Sequence, residues 1–151
     1  MADTIQPTPT LAMRLIFEYE GDQVRLVSQM PVDLLITGFD LARTQRAGFF
    51  VDTRDASGRT LARVPARNVF STSTEVFPEQ PGELISRVDV ATPRGAFTVV
   101  VPAPGGADSV SLVRVAPGGV DAAAPAARAA GAAGSAMATT EIASFALQIS
   151  R

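Results

Sequence analysis

The chain has 151 residues, is 46% hydrophobic, and carries 13 basic against 15 acidic residues for a net charge of −2. That length fits one domain with tails, large enough to bury a core without disulfide or metal staples, and no run approaches the roughly 18 consecutive apolar residues of a membrane span. Cys and His are absent and every basic residue is Arg, which removes thiolate nucleophiles, the commonest general base, the commonest transition-metal ligand and Schiff-base lysines together.

Arg to the exclusion of Lys, with the Ala-rich composition, reads as the imprint of a GC-rich bacterial genome. The Arg residues are scattered singly, whereas a nucleic-acid surface needs a basic cluster with aromatic platforms; no nucleic-acid partner is expected. The opening MADTIQPTPTLAMR has no basic segment followed by an apolar one, so no signal peptide and a cytoplasmic location are expected.

Residues 1–12, with Pro7 and Pro9, read as a flexible lead. In MRLIFEYEGDQVRLVSQM (13–30), Met13, Leu15, Phe17 and Tyr19 alternate with Arg14, Ile16, Glu18 and Glu20, the period of a half-buried strand. Gly21-Asp22 supplies a two-residue hairpin turn. Folding about it sets Tyr19 against Val24, Phe17 against Leu26, Leu15 against Ser28 and Met13 against Met30. On the other face Glu18 meets Arg25, an opposite-charge pair, and Ile16 meets Val27. That last apolar pair is either covered by the chain's own loops or offered to another subunit.

Asp33–Ala42 (DLLITGFDLA) is β-leaning around Gly38. AGFFVDTRDASGRTLARV (47–64) reads as a second hairpin turning at Asp55-Ala56-Ser57-Gly58, with Gly58 left-handed in a bulge. Asp52, Asp55 and Ser57 suggest a calcium loop, but the spacing is wrong and a closing Glu is missing; Asp and Ser bonding their own turn is the expected use. VFSTSTEVF (69–77), ELISRVDVAT (83–92), AFTVVVP (96–102) and SVSLVRV (109–115) are further strands, cut by Pro and Gly. Residues 116–138 are an Ala/Gly/Pro tether of low complexity, long enough to span roughly 25 Å. The last segment, 139–151, alternates again: Ala143, Phe145, Leu147 and Ile149 against Ser144, Ala146, Gln148 and Ser150. Those apolar side chains must dock, on the open edge of the chain's own sheet or on a neighbour's.

About eight strands without an amphipathic helix predict an all-β fold, a two-layer antiparallel sandwich over 13–115 completed by the terminal strand, with a barrel as the alternative. No catalytic motif is present. A pair of carboxylates could serve a glycosidase, yet none is marked out, and the chain has no Trp and one Tyr. No catalytic, cofactor or metal residue is therefore assigned.

Three stretches, EYEGDQVRLVSQMPVD, FFVDTRDASGRTLARVPARN and PRGAFTVVVPAPGGADSVSLVRV, together with the late EIASFAL, resemble bacterial immunoglobulin-like β-sandwich domains of unassigned function. The resemblance spans residues 13 to 115. It implies the sandwich and neither an activity nor site residues, and the long tether departs from it. The function expected is a non-enzymatic structural or accessory role through contact with a protein partner or a second copy. Ile16, Val27, Ile142, Phe145, Leu147 and Ile149 are the expected contact residues. The alternative is a small-ligand or carbohydrate-binding module using the loops 38–48 and 77–82, with Phe39, Phe49 and Phe77 gathered in one concave site.

Overall fold

The computed structural model describes residues 11–33, 47–116 and 138–149. The expected strand after Asp33, the loop through Gly38 and almost all of the tether lie outside the described residues. The described chain is all-β: β1 (Leu11–Glu20), β2 (Gln23–Val32), β3 (Gly48–Asp55), β4 (Thr60–Ala66), β5 (Ser73–Val76), β6 (Ser86–Asp89), β7 (Arg94–Ala103), β8 (Ala107–Val115) and β9 (Thr139–Ala146). Among the described residues no helix is long and apolar enough to cross a membrane.

Two antiparallel sheets make the sandwich, β2-β1-β7 and β4-β3-β8-β9, and β5-β6 is a separate ribbon. Proline placement matches this order. Pro31, Pro65 and Pro102 stand on the edge strands β2, β4 and β7, while the central strands β1, β3 and β8 have none, as expected of a residue that cannot donate to a ladder. The alternation in β1 buries Met13, Leu15, Phe17 and Tyr19; facing them are Val51 of β3, Val64 of β4 and Val110 and Leu112 of β8. Phe17 stacks on Phe97 of β7, ring centroids 4.9 Å apart. Thr53, fully buried on β3, donates its hydroxyl to the Pro102 carbonyl at 2.8 Å and so ties one sheet to the other.

The first hairpin turns at Gly21, φ +58°, and pairs Tyr19 with Val24, Phe17 with Leu26 and Glu18 with Arg25. Beyond that the register departs from strict alternation. Val27 is an extra residue in a bulge, so Ile16 pairs with Ser28, not Val27; Leu15 pairs with Gln29 and Met13 with Pro31. The bulge places Gln29 opposite a core-facing residue, where its side-chain amide acts like a strand backbone. Its Nε2 donates to the Ala146 carbonyl at 3.0 Å and its Oε1 accepts from the Gln148 amide at 2.9 Å. One side of the sandwich, between β2 and the end of β9, is laced shut in this way. In the second hairpin Gly58 is left-handed at φ +82° and its amide donates to the Asp55 carbonyl at 2.9 Å.

The chain's first described strand begins at Leu11, within the segment read as a flexible lead, because Ala12 and Met13 are already buried against β7. The terminal strand β9 pairs with β8 along Ser109–Val115. The ends of the Ala/Gly/Pro segment meet, since the Ala116 amide donates to the Ala138 carbonyl at 2.9 Å. β8 and β9 are thus neighbouring strands of one hairpin with a long excursion between them. Loop-closure cost grows only logarithmically with length, so such an excursion is compatible with the pairing.

Gly95 on β7 lies against Tyr19, where an added Cβ would meet the Tyr19 Oη at 2.8 Å and Cζ at 3.0 Å. Gly95→Ala is expected to destabilise the protein by about 1–3 kcal/mol through overpacking, and by less in a Tyr19→Phe background, where the closest atom is gone. Urea unfolding of the four chains checks this; equal losses in both backgrounds would place the constraint elsewhere.

Candidate interaction surface

The six expected contact residues fall into two groups that sheet β2-β1-β7 separates. Ile142, Phe145, Leu147 and Ile149 are partly buried against the chain's own core. The Phe145 ring lies 5.8 Å from that of Phe17, and the Leu147 amide donates to the Asp108 carbonyl at 2.8 Å. Ile16, adjacent to Phe17 on a strand, faces the opposite side and is partly buried; Val27, in the bulge, is 53% exposed. Around them on that outer face stand Arg14, Met30, Val32, Thr98 and Val100, brought together by the pairings Arg14–Met30, Arg14–Val100 and Ile16–Thr98.

The largest exposed apolar surface is elsewhere. β5 and β6 do not extend either sheet; they pair with each other, Thr74 opposite Val88, Val76 opposite Ser86 and Glu75 opposite Arg87, and pack extensively on no other strand. The strand period then sorts the ribbon into two faces. One holds Thr74, Val76, Ser86 and Val88; the other holds Ser73, Glu75, Arg87 and Asp89. Toward the tip the exposures are 69% for Phe77, 92% for Leu84 and 55% for Ile85, with Val76 and Val88 near half. A two-stranded hairpin alone is marginal in water, and among the described residues no other strand packs extensively on this one.

Its base, by contrast, is fixed. Val69 is buried, and Phe70 inserts between Tyr19 (ring centroids 4.8 Å apart) and Phe49 (5.1 Å). Phe70 does so with φ +56°, two residues after Asn68 at +58°. Asn tolerates the left-handed region; a bulky aromatic there is an outlier, held only because the surrounding packing over-determines it. At the other end of the ribbon the Val90 amide donates to the Thr72 carbonyl at 2.7 Å, and the Gly21 amide to the Pro93 carbonyl at 2.8 Å. Phe49 is therefore part of the ribbon's anchorage and Phe77 part of its exposed end; Phe39 lies outside the described residues.

The outer face of β4-β3-β8-β9 is of a different kind. Asp52 and Ser111 are fully buried there, beside a second apolar cluster of Phe50, Val113 and Val115. Arg63, directly across the β3–β4 ladder, grips Asp52 with both ends of its fork: Nε to Oδ1 at 2.6 Å and Nη2 to Oδ2 at 2.8 Å. The Asp52 carboxylate raises the pKa of Arg63 above its ordinary value, chiefly through these hydrogen bonds and against the effect of burial. The Arg63 guanidinium also lies 5.6 Å from the centre of the Phe50 ring. Arg54 reaches Asp52 at 3.6 Å and Glu141 of β9 at 2.5 Å, and Ser111 donates to Ser144 at 3.1 Å. This is a pinned register across three ladders. The carboxylates of Asp52 and Glu141 on this face are both paired with guanidinium groups.

Asp55 serves the turn. Its Oδ1 accepts from the Ser57 amide and hydroxyl (3.0 and 2.6 Å) and from the Arg59 amide (3.0 Å), and its Oδ2 from Arg59 Nε (3.1 Å). A last feature is a groove of about 390 Å³ lined by Glu18, Tyr19, Glu20, Gln23, Arg25, Arg94, Gly95 and Ala96, in which Glu18 and Arg25 pair with each other. The chain matches no known family model, no curated protein and no solved structure.

Arg63→Ala would leave a sealed carboxylate with one distant guanidinium and is expected to cost about 3 kcal/mol in urea unfolding, the range for a buried ion pair deprived of one partner. Replacing both partners, Asp52→Val with Arg63→Leu, is expected to cost less than Arg63→Ala alone. The Ser57 hydroxyl, first among several hydrogen bonds, holds the Asp55 carboxyl below its ordinary value of 3.8. A depressed folded-state pKa adds stability that is complete above the unfolded value and fades as pH falls through the folded one. Ser57→Ala is therefore expected to move the Asp55 titration upward by NMR, and to weaken the folded state above about pH 4 more than at pH 2.

Proposed function

We propose that this chain is a non-enzymatic subunit of a larger protein assembly, acting through contact surfaces and carrying no reaction of its own. The observation that supports this reading is the ribbon: a firmly based, projecting hairpin on which, among the described residues, no other strand packs extensively. Large exposed apolar patches beside polar groups mark interaction sites. Here Glu79 and Glu83 stand between the strands near the tip, and Glu75, Arg87 and Asp89 lie on the ribbon's other face. A ribbon of residues 71–92 is also about the size that one partner contributes to a standard interface, roughly 20–30 residues.

The outer face of β2-β1-β7, with Ile16, Val27 and Met30, is the second contact surface in this reading. The terminal strand supports it from within: by burying Phe145 against Phe17 and bonding to Gln29, it stiffens the sheet that presents that face.

A chain carrying Phe77→Ser and Leu84→Ser tests the reading. Both side chains are exposed, so the melting temperature is expected to hold within a few degrees. Association, followed by light scattering on a sizing column across concentration and by capture of native partners, is expected to fall sharply. Unchanged association in both assays would remove the ribbon as the working surface.

A further inference from the structure

We infer that the partner of the ribbon is a second copy of this chain, and that the ribbon lies on the outer face of that copy's β2-β1-β7 sheet. The inference rests on the assembly reading above and names the contact within it.

The two outer faces of the sandwich differ in what they leave open. On β4-β3-β8-β9, Phe50, Asp52, Ser111, Val113 and Val115 are all buried. On β2-β1-β7, Val27 and Met30 are about half exposed, and Arg14 is exposed beside the partly buried Ile16, Val32 and Val100. The part of that face around Arg14 is apolar, while toward the Gly21 turn the same face carries the Glu18–Arg25 ion pair. Among the described residues the Arg14 guanidinium makes no salt bridge; it reaches only the Met30 sulfur, at 3.6 Å. The ribbon is the complement: it exposes Val76 and Val88 on one face and Phe77, Leu84 and Ile85 toward its tip, where Glu79 and Glu83 stand between the two strands. Sheets stack face to face through such apolar surfaces, about 10 Å apart, and opposite charge across the seam fixes orientation and rejects wrong partners.

The chain does not satisfy itself, because the ribbon packs extensively on neither of its own sheets. Each copy therefore carries one half of a matched pair at two separate places. A second copy supplies both halves at once, without requiring any unknown surface. Because ribbon and sheet face are different patches, the contact closes as a dimer if the two copies exchange ribbons reciprocally, and propagates as a ring or filament if they do not.

Charge reversal decides it. Arg14→Glu alone and Glu79→Arg with Glu83→Arg alone are each expected to weaken self-association at least about tenfold, as like charges then face one another. The chain carrying all three changes restores opposite charge and is expected to recover most of the loss. An equimolar mixture of the two separately reversed chains is expected to recover it as well, since each then complements the other. All positions are exposed, and an unchanged far-ultraviolet spectrum and melting temperature establish that each variant folds. Self-association that depends on Phe77 and Leu84 but ignores Arg14 would overturn the sheet-face inference and leave the assembly reading standing. A full-length chain that remains monomeric at high concentration would overturn the second copy as partner. Failure of the Phe77→Ser/Leu84→Ser chain to differ from the wild type in association and in partner capture would remove both.

Discussion

Tyr19 stands where β1, β7 and the base of the ribbon converge, and the space its ring occupies conditions much of what surrounds it. The ring is buried, tilted against Phe70 on one side and Phe97 on the other, and β7 approaches it so closely that only Gly is accommodated at position 95. Phe70 can take its left-handed backbone because Tyr19 and Phe49 hold its side chain; a strained residue of this kind costs of order 1–3 kcal/mol, which the surrounding aromatic contacts must offset. One ring thus connects the closest approach of two strands to the fixed angle at which a hairpin leaves the sandwich. Without that anchorage the ribbon would be a loop of indefinite direction, and its apolar face would have no defined position from which to meet a partner.

A second constraint acts at the opposite end of β3. Asp52 sits where a strand-alternating chain would place a residue on the outer face, and yet it is fully buried. Burying a carboxylate is unfavourable unless the charge is paired and hydrogen-bonded. The Arg63 fork supplies both, and Arg54 links the same carboxylate to Glu141 on β9. Three strands, β3, β4 and β9, are therefore tied by charges that tolerate no slip: a one-residue shift of β4 would carry Arg63 to the other face. The Gln29 amide does comparable work between β2 and the end of β9 without any charge. The edges of the sandwich are thus specified by directional groups, while the centre is specified by volume.

How much of this was legible follows from the range of the interactions involved. The sandwich, the Gly21 and Gly58 turns, and the Glu18–Arg25 pair depend on period-two alternation and local turn chemistry, and both are written in contiguous residues. The Val27 bulge is not; it goes with the contacts of Gln29 to residues 146 and 148, more than a hundred positions away. The same limit hid the ribbon. VFSTSTEVF and ELISRVDVAT alternate as sandwich strands do, and nothing local distinguishes a strand that joins a sheet from one that leaves it. The available signal was weak: Val76 and Val88 are small for inward-facing core residues, and FPEQPGEL between the strands is long for a hairpin. The Asp52–Arg63 pair was hidden by a register shift in the same way. A turn centred on residues 55–58 sets Leu61 opposite Asp52; the register shift between Thr53 and Arg54 is what brings Arg63 there, so strict alternation does not find the pair. Phe145, Leu147 and Ile149 stand out in the sequence by their alternation as residues that must dock; the fold places them, with Ile142, partly buried against the core of their own chain.

That last point changes which surface is left to explain. With Phe145, Leu147 and Ile149 packed against the interior, and Phe50, Val113 and Val115 buried on the outer face of β4-β3-β8-β9, the large exposed apolar groups among the described residues concentrate on the ribbon and on the outer face of β2-β1-β7. Each alone would be an ordinary exposed patch. Their combination is more restrictive, because Arg14 on the sheet face is opposite in charge to Glu79 and Glu83 of the ribbon, and because edge-to-edge pairing, the usual hazard of an exposed strand, is opposed by Pro31 and Pro102 on the edges of that sheet. The edges discourage association while the face permits it. A sheet protected in that way can receive a neighbour by stacking but poorly by strand addition, and stacking is the mode for which a two-stranded ribbon with one apolar face is built.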